Sequence, residues 1–166
     1  MTQRLQQGRA TGMGEQRLLI VEDGDEYLRF FSRHLSQFAY VQAHSHSECL
    51  AHLEDEGHPV DGIILDIRFD RVPKEALIGD LEEIADRMGL WGEVSEQGAV
   101  WQYVIDNQGY LILQALREKG FLQPALIIAD LPQRQVENLE RMYGAVGVVG
   151  SFDRQAIEKA LSVLIG

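Results

Sequence analysis

Arg17-Leu18-Leu19-Ile20-Val21-Glu22-Asp23 is a short, unbroken aliphatic run that ends in two carboxylates. A second run, Gly62-Ile63-Ile64-Leu65, ends in Asp66. Apolar runs of this length, without polar alternation, suit strands buried on both faces of a parallel sheet. In an open parallel sheet, ligands bind beyond the carboxyl ends of the strands, near the point where strand order reverses. Carboxylates delivered there by two neighbouring strands converge. Three converging carboxylates repel one another and favour a hard, oxygen-seeking cation such as Mg2+.

The remaining segments follow the alternation of a doubly wound α/β sheet. Asp25 to Phe38 reads as an amphipathic helix, with Leu28, Phe31, Leu35 and Phe38 at helical spacing. Tyr40 to Ala43 is a short strand. The next helix carries Cys49, Leu50 and Leu53 on one side and ends near Gly57. Beyond Asp66, Tyr110 to Glu118 reads as a helix, Ala125 to Ala129 as a strand and Gln133 to Tyr143 as a helix. Val146 to Val149 is the last strand, and Arg154 to Leu164 is the closing helix.

The chain has 166 residues, enough for one domain with a sizeable core. A formal net charge of -11 repels phosphate backbones and argues against direct nucleic-acid binding. Cys49 is the only cysteine, which excludes an internal disulfide and a cysteine-based zinc site. No apolar run approaches the roughly 18 residues of a membrane span. The N-terminus lacks the apolar core of a signal peptide. Residues 1–16 are polar and read as a disordered tail before a domain over 17–166. The expected location is the cytoplasm. A Gly-rich phosphate loop and a Ser/His/Asp nucleophile motif are both missing. Asp66-x-Arg68 departs from the D-x-D nucleophile of the aspartate-based phosphatases. His44-x-His46 has no cysteine nearby and reads as a solvated pair.

Four segments together resemble a response-regulator receiver domain of the chemotaxis-regulator type. They are Leu18-Leu19-Ile20-Val21-Glu22-Asp23, Asp61-Gly62-Ile63-Ile64-Leu65-Asp66-Ile67, Pro124-Ala125-Leu126-Ile127-Ile128 and Gly144-Ala145-Val146-Gly147. The resemblance covers residues 17–69 and 107–165. It implies a five-stranded parallel sheet of flavodoxin-like order 2-1-3-4-5. It also implies a two-component signalling protein that takes a phosphoryl group on Asp66 from a histidine kinase. Glu22 and Asp23 correspond to the acidic pair that holds Mg2+ with Asp66, and the backbone carbonyl of Arg68 completes the protein ligands. Such a metal offsets charge on the nucleophile and on the incoming phosphoryl oxygens. The chain would then be no enzyme beyond self-catalysed phosphotransfer. Its partner would be a histidine kinase or another signalling protein, with a homodimer left open.

Three positions depart from that pattern. The switch hydroxyl of the fourth strand is replaced by Ala129, followed by Asp130. The lysine that ends the fifth strand is replaced by Ser151, and the aromatic switch residue aligns with Val148. A lysine ammonium is a fixed countercharge for phosphate, and without it the metal alone balances a phosphorylated Asp66. Arg68 and Arg154 are the candidate substitutes.

Roughly Asp70 to Asn107 is inserted after the third strand, far above ordinary loop length. Leu77, Ile78, Leu81, Ile84, Ala85 and Met88 recur at three and four, which predicts one helix from near Pro73 to Gly89 or Gly92. A second helix is expected over Glu96 to Ile105. The insertion reads either as a structural cap or as a lid or docking surface beside the acidic site, and Trp91, Trp101 and Tyr103 suit an interface or a private small core equally. Two functions compete. One is a stand-alone receiver without output domain, phosphorylated on Asp66 but altered or lost in its switching. The other is a pseudo-receiver that binds partners independently of phosphorylation. A Mg2+-dependent hydrolase is a distant third.

Overall fold

The computed structural model describes residues 14–90 and 94–166. Most of the expected tail, residues 1–13, lies outside the described residues, as do Trp91 and Gly92. Gln16, the last residue of that tail, is tied down. Its side-chain amide donates to the Ile165 carbonyl at 2.7 Å, and its own carbonyl accepts from Ala39.

Five parallel strands form one sheet in the order β2-β1-β3-β4-β5. They are β1 (Arg17–Val21), β2 (Ala39–Ala43), β3 (Gly62–Leu65), β4 (Ala125–Ile128) and β5 (Val146–Val149). The helices are α1 (Glu26–His34), α2 (His46–Leu53), α3 (Leu81–Met88), α4 (Val94–Asp106), α5 (Gln108–Glu118), α6 (Gln133–Tyr143) and α7 (Arg154–Ile165). This is the doubly wound fold, with the expected strand order and a helical insertion after β3.

Alternating strand residues feed two cores, as the period of two requires. Leu19, Val21, Ile63, Leu65, Ala125 and Ile127 pack with Cys49 of α2, Ile112, Leu113 and Leu116 of α5 and Leu139 of α6. Leu18, Ile20, Ile64, Leu126 and Ile128 pack with Tyr27 and Phe31 of α1 and with Ile157 and Leu161 of α7. Cys49 is fully buried, and burial pushes its thiol up to about 12. No helix among the described residues is long and apolar enough to cross a membrane.

Three boundaries differ from the sequence reading by more than two residues. α1 ends at His34 rather than Phe38. Leu35 leaves helical geometry at φ -132 and ψ 57, and its carbonyl accepts from the Tyr40 hydroxyl. α2 stops at Leu53, with Gly57 in the turn beyond. The first insertion helix starts at Leu81 instead of near Pro73. Pro73 precedes only a short 3-10 turn at Lys74–Ala76. Asp80 then caps α3 by accepting from the Glu83 N–H at 3.1 Å, and Gly89 closes it at φ +71.

A buried side chain explains why Leu77 and Ile78 leave the helix. Gln108 is fully buried, and its amide accepts from the Ile78 N–H and donates to the Ile78 carbonyl, both at 2.9 Å. It pairs with that backbone as a neighbouring strand would. A helix through Ile78 would forfeit both bonds and strand a buried amide. The face expected from Leu77, Leu81, Ile84 and Met88 is therefore divided. Ile84 is buried with Val100 and Val104, and Leu77, Trp101 and Tyr103 pack around them. Leu81 and Met88 are exposed. The insertion thus has its own small core. Only Asn107 separates α4 from α5, at φ -122 and ψ 14.

Candidate functional site

β1 and β3 pair in the register Val21↔Leu65, so Glu22, Asp23 and Asp66 follow at the same end of two adjacent strands. The Asp66 N–H donates to the Val21 carbonyl at 2.9 Å. Strand order reverses here, because β1 has β2 on one side and β3 on the other. The topology therefore delivers the three acids to the crevice where ligands bind in such sheets.

Their side chains are engaged within the chain. Glu22 is 1% exposed. It accepts from the Tyr27 N–H at 3.0 Å through one oxygen, and from Leu28 N–H at 2.9 Å and the Gln42 amide at 3.2 Å through the other. Tyr27 and Leu28 lie in the first turn of α1, so Glu22 acts as the anchor of that helix terminus. Burial raises its pKa, against the pull of those three donors. The Asp23 side chain is 4% exposed, and its Oδ2 accepts from the Asp70 and Arg71 N–H groups at 2.9 and 3.0 Å. Asp66 accepts through Oδ1 from its neighbour Ile67 at 2.8 Å and from the Tyr27 hydroxyl at a long 3.4 Å.

Burial, then the Asp23 charge, pushes Asp66 up to about 6, and the Ile67 and Tyr27 bonds offset part of this. Burial and the Asp66 charge push the Tyr27 phenol far up, so it stays protonated and can only donate to a carboxylate. Asp66 has its folded pKa above its unfolded value. Its stabilising contribution is therefore complete below about pH 4 and is lost as pH rises through about 6. Asp66→Asn should exceed wild type in stability by about 1–2 kcal/mol near pH 8, after discounting for partial solvent exposure. The gap should close near pH 4. Urea unfolding of both proteins in chelator, at the two pH values, reads it directly.

The loop after β3 is held at several points. Phe69 is fully buried, and its N–H donates to the Ile105 carbonyl at 2.9 Å. The Arg68 side chain turns to Asp70 at 3.3 Å and to Asp106 at 3.6 Å. Arg71 pairs with Glu26 at 2.7 Å and lies 4.0 Å from Asp23. Gly24 makes room for it, because a Cβ there would overlap the Arg71 guanidinium. On the far side, the Gly109 N–H donates to the Ile67 carbonyl at 2.9 Å, bringing the start of α5 against the backbone that follows β3.

The departing positions sit as follows. The Ala129 N–H donates to Val149 at 2.9 Å, and Val148 packs half-buried on the core. Ser151 is exposed, and its carbonyl accepts from Asp153. Phe152 stacks edge-on against Tyr27 at 4.8 Å and Phe30 at 5.0 Å. Among the described residues no ion pair links Arg68 or Arg154 to Glu22, Asp23 or Asp66. The two histidines are not a solvated pair. His44 Nδ1 donates to the Glu22 carbonyl at 2.9 Å, and His46 turns a buried Nε2 inward.

The expected Mg2+ set does not fit this arrangement. Both Glu22 oxygens and Asp23 Oδ2 are spent on intrachain donors, and Arg71 supplies a cation beside Asp23. Among the described residues no three acids or histidines group so as to hold a metal ion. Sequence reasoning missed Tyr27, Gln42, Arg71, Phe152 and Gly109. Tyr27 carried a signal, since it stands four residues after Asp23 at the start of α1. Arg71 carried none.

No protein-family profile and no curated protein matches the chain. Solved structures do. The chemotaxis protein CheY4 of Vibrio cholerae is 17% identical, with 91% of this chain and 99% of that chain covered and a TM-score of 0.58. A two-component response regulator of Clostridium difficile is 10% identical, over 90% and 95%, with a TM-score of 0.56. A CheY-like receiver domain protein of Methanospirillum hungatei is 14% identical, over 91% and 94%, with a TM-score of 0.55. Sheet order, helix placement and these likenesses agree, and by fold the chain is of the response-regulator receiver type.

Proposed function

We propose that the chain is a signalling module on a receiver scaffold that acts by protein contact, without phosphoryl transfer to Asp66. Its partner is a histidine kinase or another signalling protein. One observation carries this reading: Glu22, Asp23 and Asp66 all spend carboxylate oxygens on donors from their own chain. Ala129 and Ser151 support it, since neither a switch hydroxyl on β4 nor a fixed ammonium after β5 is present to sense phosphate. The expected result is an unchanged intact mass after incubation with acetyl phosphate or phosphoramidate and Mg2+. A phosphoryl adduct that disappears in Asp66→Asn would overturn it.

A second reading keeps Asp66 as phosphoacceptor, with Glu22, Asp23 and the Arg68 carbonyl around Mg2+. The raised pKa of Asp66 favours it, because perturbed carboxyls mark functional clefts. It leaves the metal Asp23 Oδ1 and Asp66 Oδ2, which accept no hydrogen bond among the described residues, and the same mass measurement separates the two.

A further inference from the structure

We propose that the groove between α3 and α5 is the docking site for a basic amphipathic helix of a partner protein. The proposal rests on the reading above, that the chain acts by protein contact, and names the surface that makes the contact.

The insertion creates this groove. α3 packs on α4 and α4 on α5, and α3 and α5 face each other across a space of about 310 Å³ that is open among the described residues. Each wall is one helical stripe at spacings of three and four. On α3 and its cap the stripe is Asp80, Glu83, Ile84 and Arg87. On α5 it is Leu111, Gln114, Ala115 and Glu118. Two ridged walls of this spacing are the surface into which a third helix packs. The floor is apolar. Ile84 is buried, and Leu111 and Ala115 are half-buried. Gly79 has no side chain to cover that floor, and a Cβ there would stand 3.4 Å from both Ile84 and Leu111. The rim sets the charge of the occupant. Asp80, Glu83 and Glu118 face the guanidinium of Arg87, which Glu83 already holds at 3.1 Å. Among the described residues, Glu118 is met by the neutral Gln114 amide at 3.2 Å, and Asp80 by the Glu83 N–H at 3.1 Å. An acidic rim on a chain of net charge -11 repels an acidic segment and attracts lysines and arginines that flank an apolar stripe.

Calorimetric titration of the full chain with a leucine–lysine peptide of about four helical turns tests this, with the leucine–glutamate counterpart as second probe. The lysine peptide should bind and the glutamate peptide should not. Ala115→Arg fills the groove and opposes the peptide's charge, and it should weaken binding at least about tenfold. Glu118→Lys, on an exposed rim position, should weaken it about threefold or more. Glu158→Lys makes the same charge change on α7, across the sheet, and should leave the affinity unchanged. Circular dichroism checks the fold of each variant. No binding, equal binding of the two peptides, or a loss that Glu158→Lys reproduces would overturn the proposal. So would an affinity that Ala115→Arg and Glu118→Lys leave intact. A dimer in size-exclusion chromatography that Ala115→Arg dissolves would assign the groove to a second copy. A rise in affinity on Arg4→Glu/Arg9→Glu would assign it to the chain's own basic N-terminal segment. Either result overturns the partner helix. Failure here is distinct from failure of the reading above, because the mass measurement reads Asp66 and the titration reads α3 and α5.

Discussion

Gly109→Ala is expected to lose about 3 kcal/mol of stability, one of the largest effects of a single methyl group in this chain. A Cβ at this position would overlap the Asp66 carbonyl oxygen and come within 2.8 Å of Ile67 Cα. Both obstacles are backbone, so no side chain can swing aside. Relief requires α5 to move off the end of β3, which breaks the Gly109–Ile67 hydrogen bond and lifts Ile112 and Leu113 from the core. Gly98→Ala is the control. It lies within α4, where among the described residues nothing beyond its own helix backbone and chain neighbours comes within 4 Å of an added Cβ, and it should gain about 0.5–1 kcal/mol from the reduced entropy of the unfolded chain. Urea midpoints of the two variants should move in opposite directions. Equal midpoints would mean that α5 does not approach Asp66 as closely as described.

Phe69→Ala should cost about 3–5 kcal/mol, the range for a fully enclosed aromatic truncated in a core. The loss should extend beyond packing. Phe69 is buried and immediately precedes Asp70 and Arg71, whose amides hold Asp23. Loosening it should raise hydrogen exchange at Asp70 and Arg71 more than at Leu19 or Ile63 in the sheet centre. Denaturant unfolding measures the first part and exchange measures the second. A uniform rise in exchange would mean that Phe69 supports the domain as a whole and not the loop in particular.

The sheet was legible because its signal is local and redundant. Each of the runs ending at Val21, Leu65 and Ile128 is aliphatic throughout, and burial on both faces demands that. Strand positions of the acids followed from the same runs. What the acids do was not legible, because it depends on donors far away in the chain. Asp23 meets amides at Asp70 and Arg71, and Asp66 meets a phenol at Tyr27. A carboxylate that caps a loop and one that awaits a cation look the same in sequence. The insertion shows a similar limit. Its apolar spacing was real, but Gln108 holds Ile78 outside the helix, which is shorter by more than a turn. Periodicity reports which face is apolar, and it does not report a side chain thirty residues away that competes for the backbone.

The segment between β3 and α5 is fastened by two chemically different kinds of contact, and ionic strength tells them apart. On the acidic side, Arg71 and Glu26 are both about half exposed, at 54% and 49% of their side chains. Such a pair weakens as the Debye length falls to about 3 Å at molar salt. On the insertion side, Ile78 is held by the neutral amide of Gln108 and Ile84 by aliphatic packing, neither of which salt screens. Concentrated salt therefore loosens the crevice while leaving the insertion seated, so the two ends of one loop answer to different solvents.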